Sequence, residues 1–172
     1  MKRFEIRRLA VCSIFCAVAL TIFVIEAQIP LPIPLPGVKL GLSNIITLFA
    51  LLWLSPSEAF LILVGRILLG AVFTGNPSSL LYSLSGGIIC LFVENLLLKF
   101  LSKRFIIEIS IIGAMIHNTV QILCAVFVTG SASVFAYMPP LIVIGAFCGL
   151  FCGLCIWFVD KKFEHIINRL IK

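Results

Sequence analysis

Charge is scarce in this sequence: 12% of its 172 residues are Asp, Glu, Lys or Arg, and Asp160 is the single aspartate. A soluble globular domain carries about a quarter charged residues and about half apolar ones, whereas 62% of this chain is apolar. Too little polar sequence remains for an attached soluble domain, which excludes a self-contained ATPase, kinase or nucleic-acid reader. There is no G-x-x-x-x-G-K-[ST] phosphate loop, so any transport work must draw on an ion gradient or a partner. The seven cysteines all lie within apolar runs. There a thiol behaves as a small hydrophobe, and an odd count without loop cysteines argues against a disulfide framework. Cys148, Cys152 and Cys155 have helical spacing but no histidine or carboxylate close in sequence, so packing is expected there and no metal or cofactor is implied.

What is present is hydropathy. Six candidate spans cover 9–29, 40–54, 57–73, 79–100, 105–128 and 140–159, with a short amphipathic tail over 161–172. The expectation is one all-α integral membrane bundle of six transmembrane helices. Ser55-Pro-Ser-Glu58 is a capping box with proline at the first helical position, so spans two and three form a tight hairpin and Glu58 is expected to serve as a cap. Asn76-Pro77 starts the fourth span in the same way. Eleven of the thirteen basic residues flank the spans on one side, which puts both termini in the cytoplasm. The net charge of +6 is then a topology signal and needs no nucleic acid.

Two basic residues fall outside that pattern. Arg66 is mid-span, where an unpaired guanidinium costs about 3 kcal/mol or more; either it pairs with Glu94 or it binds an anion. Lys39 follows Pro30-Leu-Pro-Ile-Pro-Leu-Pro-Gly37, whose alternating prolines favour a stiff extended strap. That strap could cover a pocket mouth, with Lys39 facing an incoming anion. Asn76, Ser78 and Ser79 at the start of span four offer helix N-terminal donors for a phosphate or carboxylate, although hydroxyls also serve helix packing. His117, Asn118 and Gln121 put three polar side chains near the centre of span five, with Gly113 opening space beside them, either for a ligand or for interhelical hydrogen bonds. Gly145, Gly149 and Gly153 on span six, and Ala10, Ser13 and Ala17 on span one, are small faces suited to internal packing or to another subunit.

Three blocks together, Gly37-Val-Lys-Leu-Gly-Leu-Ser-Asn44, Gly65-Arg-Ile-Leu-Leu-Gly70 with Phe73-Thr-Gly-Asn-Pro-Ser-Ser79, and His117-Asn-Thr-Val-Gln121, resemble the membrane family called heptaprenyl diphosphate synthase component I, also labelled Gx transporter. That family is similar to the substrate-binding S components of energy-coupling factor (ECF) transporters. The resemblance implies six helices, a cytoplasmic N-terminus, a lid after helix one and small residues on helix one meeting a coupling protein with its ATPases. The strap fits the lid, Ala10, Ser13 and Ala17 fit the contact face, and Asn44 joins the candidate substrate residues. No vitamin-specific signature is recognisable, so the substrate does not carry over. Prenyl elongation needs aspartate-rich clusters that hold Mg²⁺ against diphosphates, and one aspartate cannot form them. The chain is therefore expected not to be an enzyme. Three functions compete: uptake of a small organic anion or amphiphile, a synthase subunit that binds prenyl diphosphate for a catalytic partner, or a structural membrane anchor.

Overall fold

The computed structural model describes residues 2–29, 39–75 and 77–171, and the side chains of all of these except 2–5, 77–79, 164 and 166–171. The Pro-rich strap and Asn76, and the side chains of Ser78 and Ser79, lie outside the described residues. Six α-helices follow in order: α1 (Lys2–Glu26), α2 (Asn44–Trp53), α3 (Pro56–Thr74), α4 (Pro77–Phe100), α5 (Ile106–Thr129) and α6 (Met138–Ile171). Short 3₁₀ turns over Lys103–Phe105 and Ala132–Tyr137 lead into α5 and α6. Five of the helices are long and apolar enough to cross a membrane.

The exception is α2. Sequence alone gives a span over 40–54, but the helix has ten residues, about 15 Å against a hydrocarbon core of about 30 Å. The missing half is irregular chain. Gly41 takes φ of +82°, a conformation open to glycine, and turns residues 39–43 into the bundle. Irregular backbone at such depth is tolerated only where protein satisfies its polar groups, and here side chains from α1 and α5 do so.

The other boundaries differ less. The expected hairpin forms: Ser55 caps α3, its hydroxyl accepts from the Glu58 N–H, and the Glu58 carboxylate accepts from the Ser55 N–H at 2.8 Å. The same carboxylate accepts from Arg8 at 2.8 Å, so the cap also ties α1 to α3. The expected separate tail is a continuation of α6, which runs 34 residues, about 50 Å. No glycine or proline interrupts 154–171, so nothing ends the helix where it would leave the hydrocarbon.

The Gly145, Gly149 and Gly153 face is internal. A Cβ on Gly149 would lie 2.7 Å from both the Ile111 Cα and the Ser110 carbonyl, and one on Gly153 would lie 2.8 Å from the Ile107 Cα. Backbone-to-backbone approach of α5 and α6 therefore depends on these glycines. Ala10, Ser13 and Ala17 remain exposed on α1.

Candidate anion-binding site

A polar cluster sits where the broken segment before α2 meets α1, α3 and α5. Arg66, near the midpoint of α3, is 2% exposed. Its two terminal nitrogens donate to the Ser43 hydroxyl and to the Asn44 Oδ1. Because that oxygen is occupied, the Asn44 amide nitrogen donates onward to the His117 Nδ1, at 3.1 Å. The hydrogen-bond polarity leaves His117 neutral, with its proton on Nε2. Two glycines hold the ring: a Cβ on Gly41 would meet His117 Cδ2 at 2.9 Å, and one on Gly86 would meet Nδ1 at 3.0 Å.

The α2 N-terminus thus opens in the interior rather than at a membrane surface. Free N–H groups and the positive dipole end attract an anion there, and the chain supplies one. Glu26, at the end of α1 and 4% exposed, accepts from the Gly41 N–H at 2.5 Å and from the Ser43 N–H at 3.4 Å. Lys39 is buried as well, its Nζ 3.2 Å above the centre of the Phe23 ring, whose other neighbour is the Arg66 guanidinium at 5.9 Å. The backbone N–H of Lys39 donates to the Gln121 Oε1 at 3.3 Å. Phe23, Glu26, Lys39, Ser43, Arg66 and His117 line one crevice, closed without room for a water.

Among the described residues, three donors around this crevice have no hydrogen-bond partner: the Lys39 Nζ, the Arg66 Nε and the Gln121 Nε2. Buried donors are rarely left unmade, since each costs about 1–3 kcal/mol.

The structure brings together Lys39, Asn44, Arg66, His117 and Gln121, but not Asn118. That side chain faces the other way, its amide donating to the Leu141 carbonyl of α6 at 2.8 Å, an interhelical bond. Nor does Glu94 pair with Arg66: among the described residues the guanidinium's hydrogen bonds go to Ser43 and Asn44. Gly113 does open space on α5, and Glu94 fills it, its Oε1 lying 2.2 Å from where a Cβ would sit. Asn76, Ser78 and Ser79 fall outside the described side chains. Sequence reasoning missed Glu26, Phe23 and Ser43; the one available signal was a lone carboxylate at the end of an apolar helix.

A profile of heptaprenyl diphosphate synthase component I matches residues 15–159. The chain belongs to this family. Component I is the non-catalytic, membrane-associated subunit of that synthase. No curated protein and no solved structure matches the chain. In this member, every residue of the polar cluster lies within the matched range.

Burial pushes the Lys39 ammonium down to about 8, opposed by the Glu26 carboxylate and reinforced by the Arg66 guanidinium. An anion needs the charged form, so its affinity is expected to fall as pH rises through about 8. Between about 8 and the ordinary lysine value the unfolded chain binds more protons than the native one. The Lys39 contribution to fold stability therefore rises with pH over that window. Titration of binding and of thermal unfolding side by side should show opposite trends, and Lys39→Arg should flatten the binding curve. Parallel loss of both would instead mean unfolding.

Proposed function

We propose that this component I chain is a membrane-embedded binding subunit that holds the charged head of an organic anion or amphiphile at Arg66 and Lys39 for a partner protein. The observation that carries this reading is the set of three unpaired, buried donors on Lys39, Arg66 and Gln121. Within the synthase family a prenyl diphosphate fits: its head offers many acceptor oxygens, and its tail needs an apolar path. An apolar groove of about 220 Å³ runs between α1, α2 and α6, lined by Phe15, Val18, Ile45, Phe49, Ile156 and others. The catalytic partner supplies the metal-binding aspartates that a chain with one aspartate lacks.

Uptake of such an anion, in the manner of an ECF S component, is the second reading. It is favoured by the half-length α2, because transporters place substrate anions at the interior N-termini of broken helices. The exposed Ala10, Ser13 and Ala17 face would then receive a coupling protein with its ATPases. Asn76, Ser78 and Ser79 remain proposed ligand residues at the outer mouth under the strap, and both termini are proposed to be cytoplasmic in a bacterial inner membrane. Impermeant thiol reagent reaching Ser131→Cys but not Lys162→Cys in intact cells checks that orientation.

The function is tested with purified protein and farnesyl diphosphate. Saturable binding that Arg66→Gln weakens, without elongation when isopentenyl diphosphate and Mg²⁺ are added, is the expected result. Product formed by this chain alone would refute the binding-subunit reading. Co-purification with native neighbours separates the two modes: a prenyltransferase chain supports the first and an ATPase assembly the second.

A further inference from the structure

Glu94 lies deeper than any step of anion capture requires. It is 2% exposed on α4, and among the described residues its Oε2 has no hydrogen-bond partner. The neighbouring Cys90 offers the carboxyl only a thiol S–H, a weak donor. Beside it lies a cavity of about 10 Å³, the room of a single water. Asn44, Ser110, Cys148 and Cys152 line this cavity with Glu94 among apolar side chains, so the space touches Asn44, which also accepts from Arg66. Gly41 borders both this cavity and the anion crevice.

Charge counting links the two spaces. The interior holds two cations, Lys39 and Arg66, and two carboxylates, Glu26 and Glu94. His117, facing from α5, is neutral by its hydrogen bond, and Cys148 and Cys152 face from α6 as thiols. An anion arriving at the crevice leaves the buried group at least one negative charge in excess, more for a diphosphate, which a low-dielectric interior penalises. A proton taken up from water removes one unit of that excess. Glu26 is the poorer acceptor because two backbone N–H groups already stabilise its charged form. Glu94 has no such donors and keeps a free oxygen on the cavity.

We propose that Glu94 is a proton-binding site coupled to anion capture, so that, above the pH at which the empty site loses this proton, each anion bound at Lys39 and Arg66 brings one proton onto the Glu94 carboxylate. The balance is simple: the anion enters, one proton leaves bulk water, one O–H bond forms on Glu94, and nothing is oxidised or reduced. The coupling rests on the anion-site reading above, but the proton site itself can be tested without any ligand.

The carbonyl band of a protonated carboxyl group, assigned by its loss in Glu94→Gln, is followed by infrared spectroscopy of the purified protein across a pH series. Neutralising a cation mimics an arriving anion, so in Arg66→Gln the band should survive to pH values higher by about one unit, roughly tenfold in proton affinity. Lys39→Gln, outside the spans, repeats the comparison should the first variant fold poorly. A band absent at every pH, or one indifferent to both substitutions, overturns the proposal. Farnesyl diphosphate is then added in weak buffer with a pH indicator, at a pH where the carboxyl band of the empty site has just vanished. Uptake of close to one proton per molecule bound, lost in Glu94→Gln, supports the coupling, and binding without uptake overturns it. Absence of binding would count against the diphosphate reading of the site, while the infrared comparison decides for or against Glu94.

Discussion

Arg66→Gln is expected to weaken anion binding roughly tenfold to hundredfold, the equivalent of one charge-assisted hydrogen bond, and adding Glu94→Gln should recover no more than that change gains in the unsubstituted protein. The structure makes this specific. Arg66 donates to Ser43 and Asn44, so a structural salt bridge with Glu94 is not what holds it in place. Glutamine keeps one donor for those two acceptors, which limits the loss of fold stability to about 1–3 kcal/mol. Removal of a costly buried charge offsets part of even that. Asn44→Ala breaks the same chain one link further on, freeing both the guanidinium and the His117 ring. Arg66→Gln and Asn44→Ala should therefore be strongly non-additive, whereas either combined with a distant change such as Phe127→Leu should add. Calorimetric or fluorescence binding of farnesyl diphosphate, with thermal unfolding of each variant, supplies both readouts. Recovery of binding in the Arg66, Glu94 double variant beyond the gain that Glu94→Gln gives alone would remove Arg66 from the anion site.

Glu26 gives the cluster its second property. A carboxylate of the chain itself occupies the interior N-terminus of α2, where the carboxylate or phosphate of a substrate is most favoured. The site is thus filled by an internal anion and packed shut. Under the proposed function, capture takes the form of exchange: an incoming anion competes with Glu26 for Lys39 and Arg66, and the segment over 39–43 must shift to admit it.

Much of the bundle was legible in the sequence because long apolar runs have few alternatives in a membrane. The capping box at Ser55 and Glu58 was legible for the same local reason: its partners are three residues apart. What sequence did not give was the partner that tertiary contact assigns to each polar group. Hydropathy counts Leu40, Leu42 and Ile45 alike as span, yet the turn at Gly41 is stabilised by Glu26, far back in the chain, and no helical signal is lost when the first residues unwind. The same limit explains the site. Asn118 and Gln121 are both fully buried on α5, but α6 takes one and the broken segment takes the other. Glu94 stood beside an anion as one of two expected partners of Arg66 because it was the one carboxylate expected at similar depth. Glu26 was overlooked because a carboxylate at a helix end is normally a solvated one.

Gly149 is where the fold and the site should fail together. Adding even a methyl group there places it 2.7 Å from backbone atoms of Ser110 and Ile111, which cannot rotate away as a side chain could. Overpacking of this kind costs about 1–3 kcal/mol for alanine, and leucine must separate the helices outright. The damage is not confined to the contact. His117 and Gln121 ride on α5, and through them Asn44 and Lys39 are held against the bundle. A displaced α5 therefore dissolves the hydrogen bonds that orient Arg66. Gly149→Leu should lower the unfolding temperature sharply and abolish binding, with Gly149→Ala intermediate in both. Phe151→Ala, on the outward side of the same helix at 63% exposure, should leave the two measurements close to their original values, because most of that side chain is not packed against protein. An unfolding temperature unmoved by Gly149→Leu would mean that α5 and α6 do not meet along this face, and the placement of His117 beside Asn44 would fall with it.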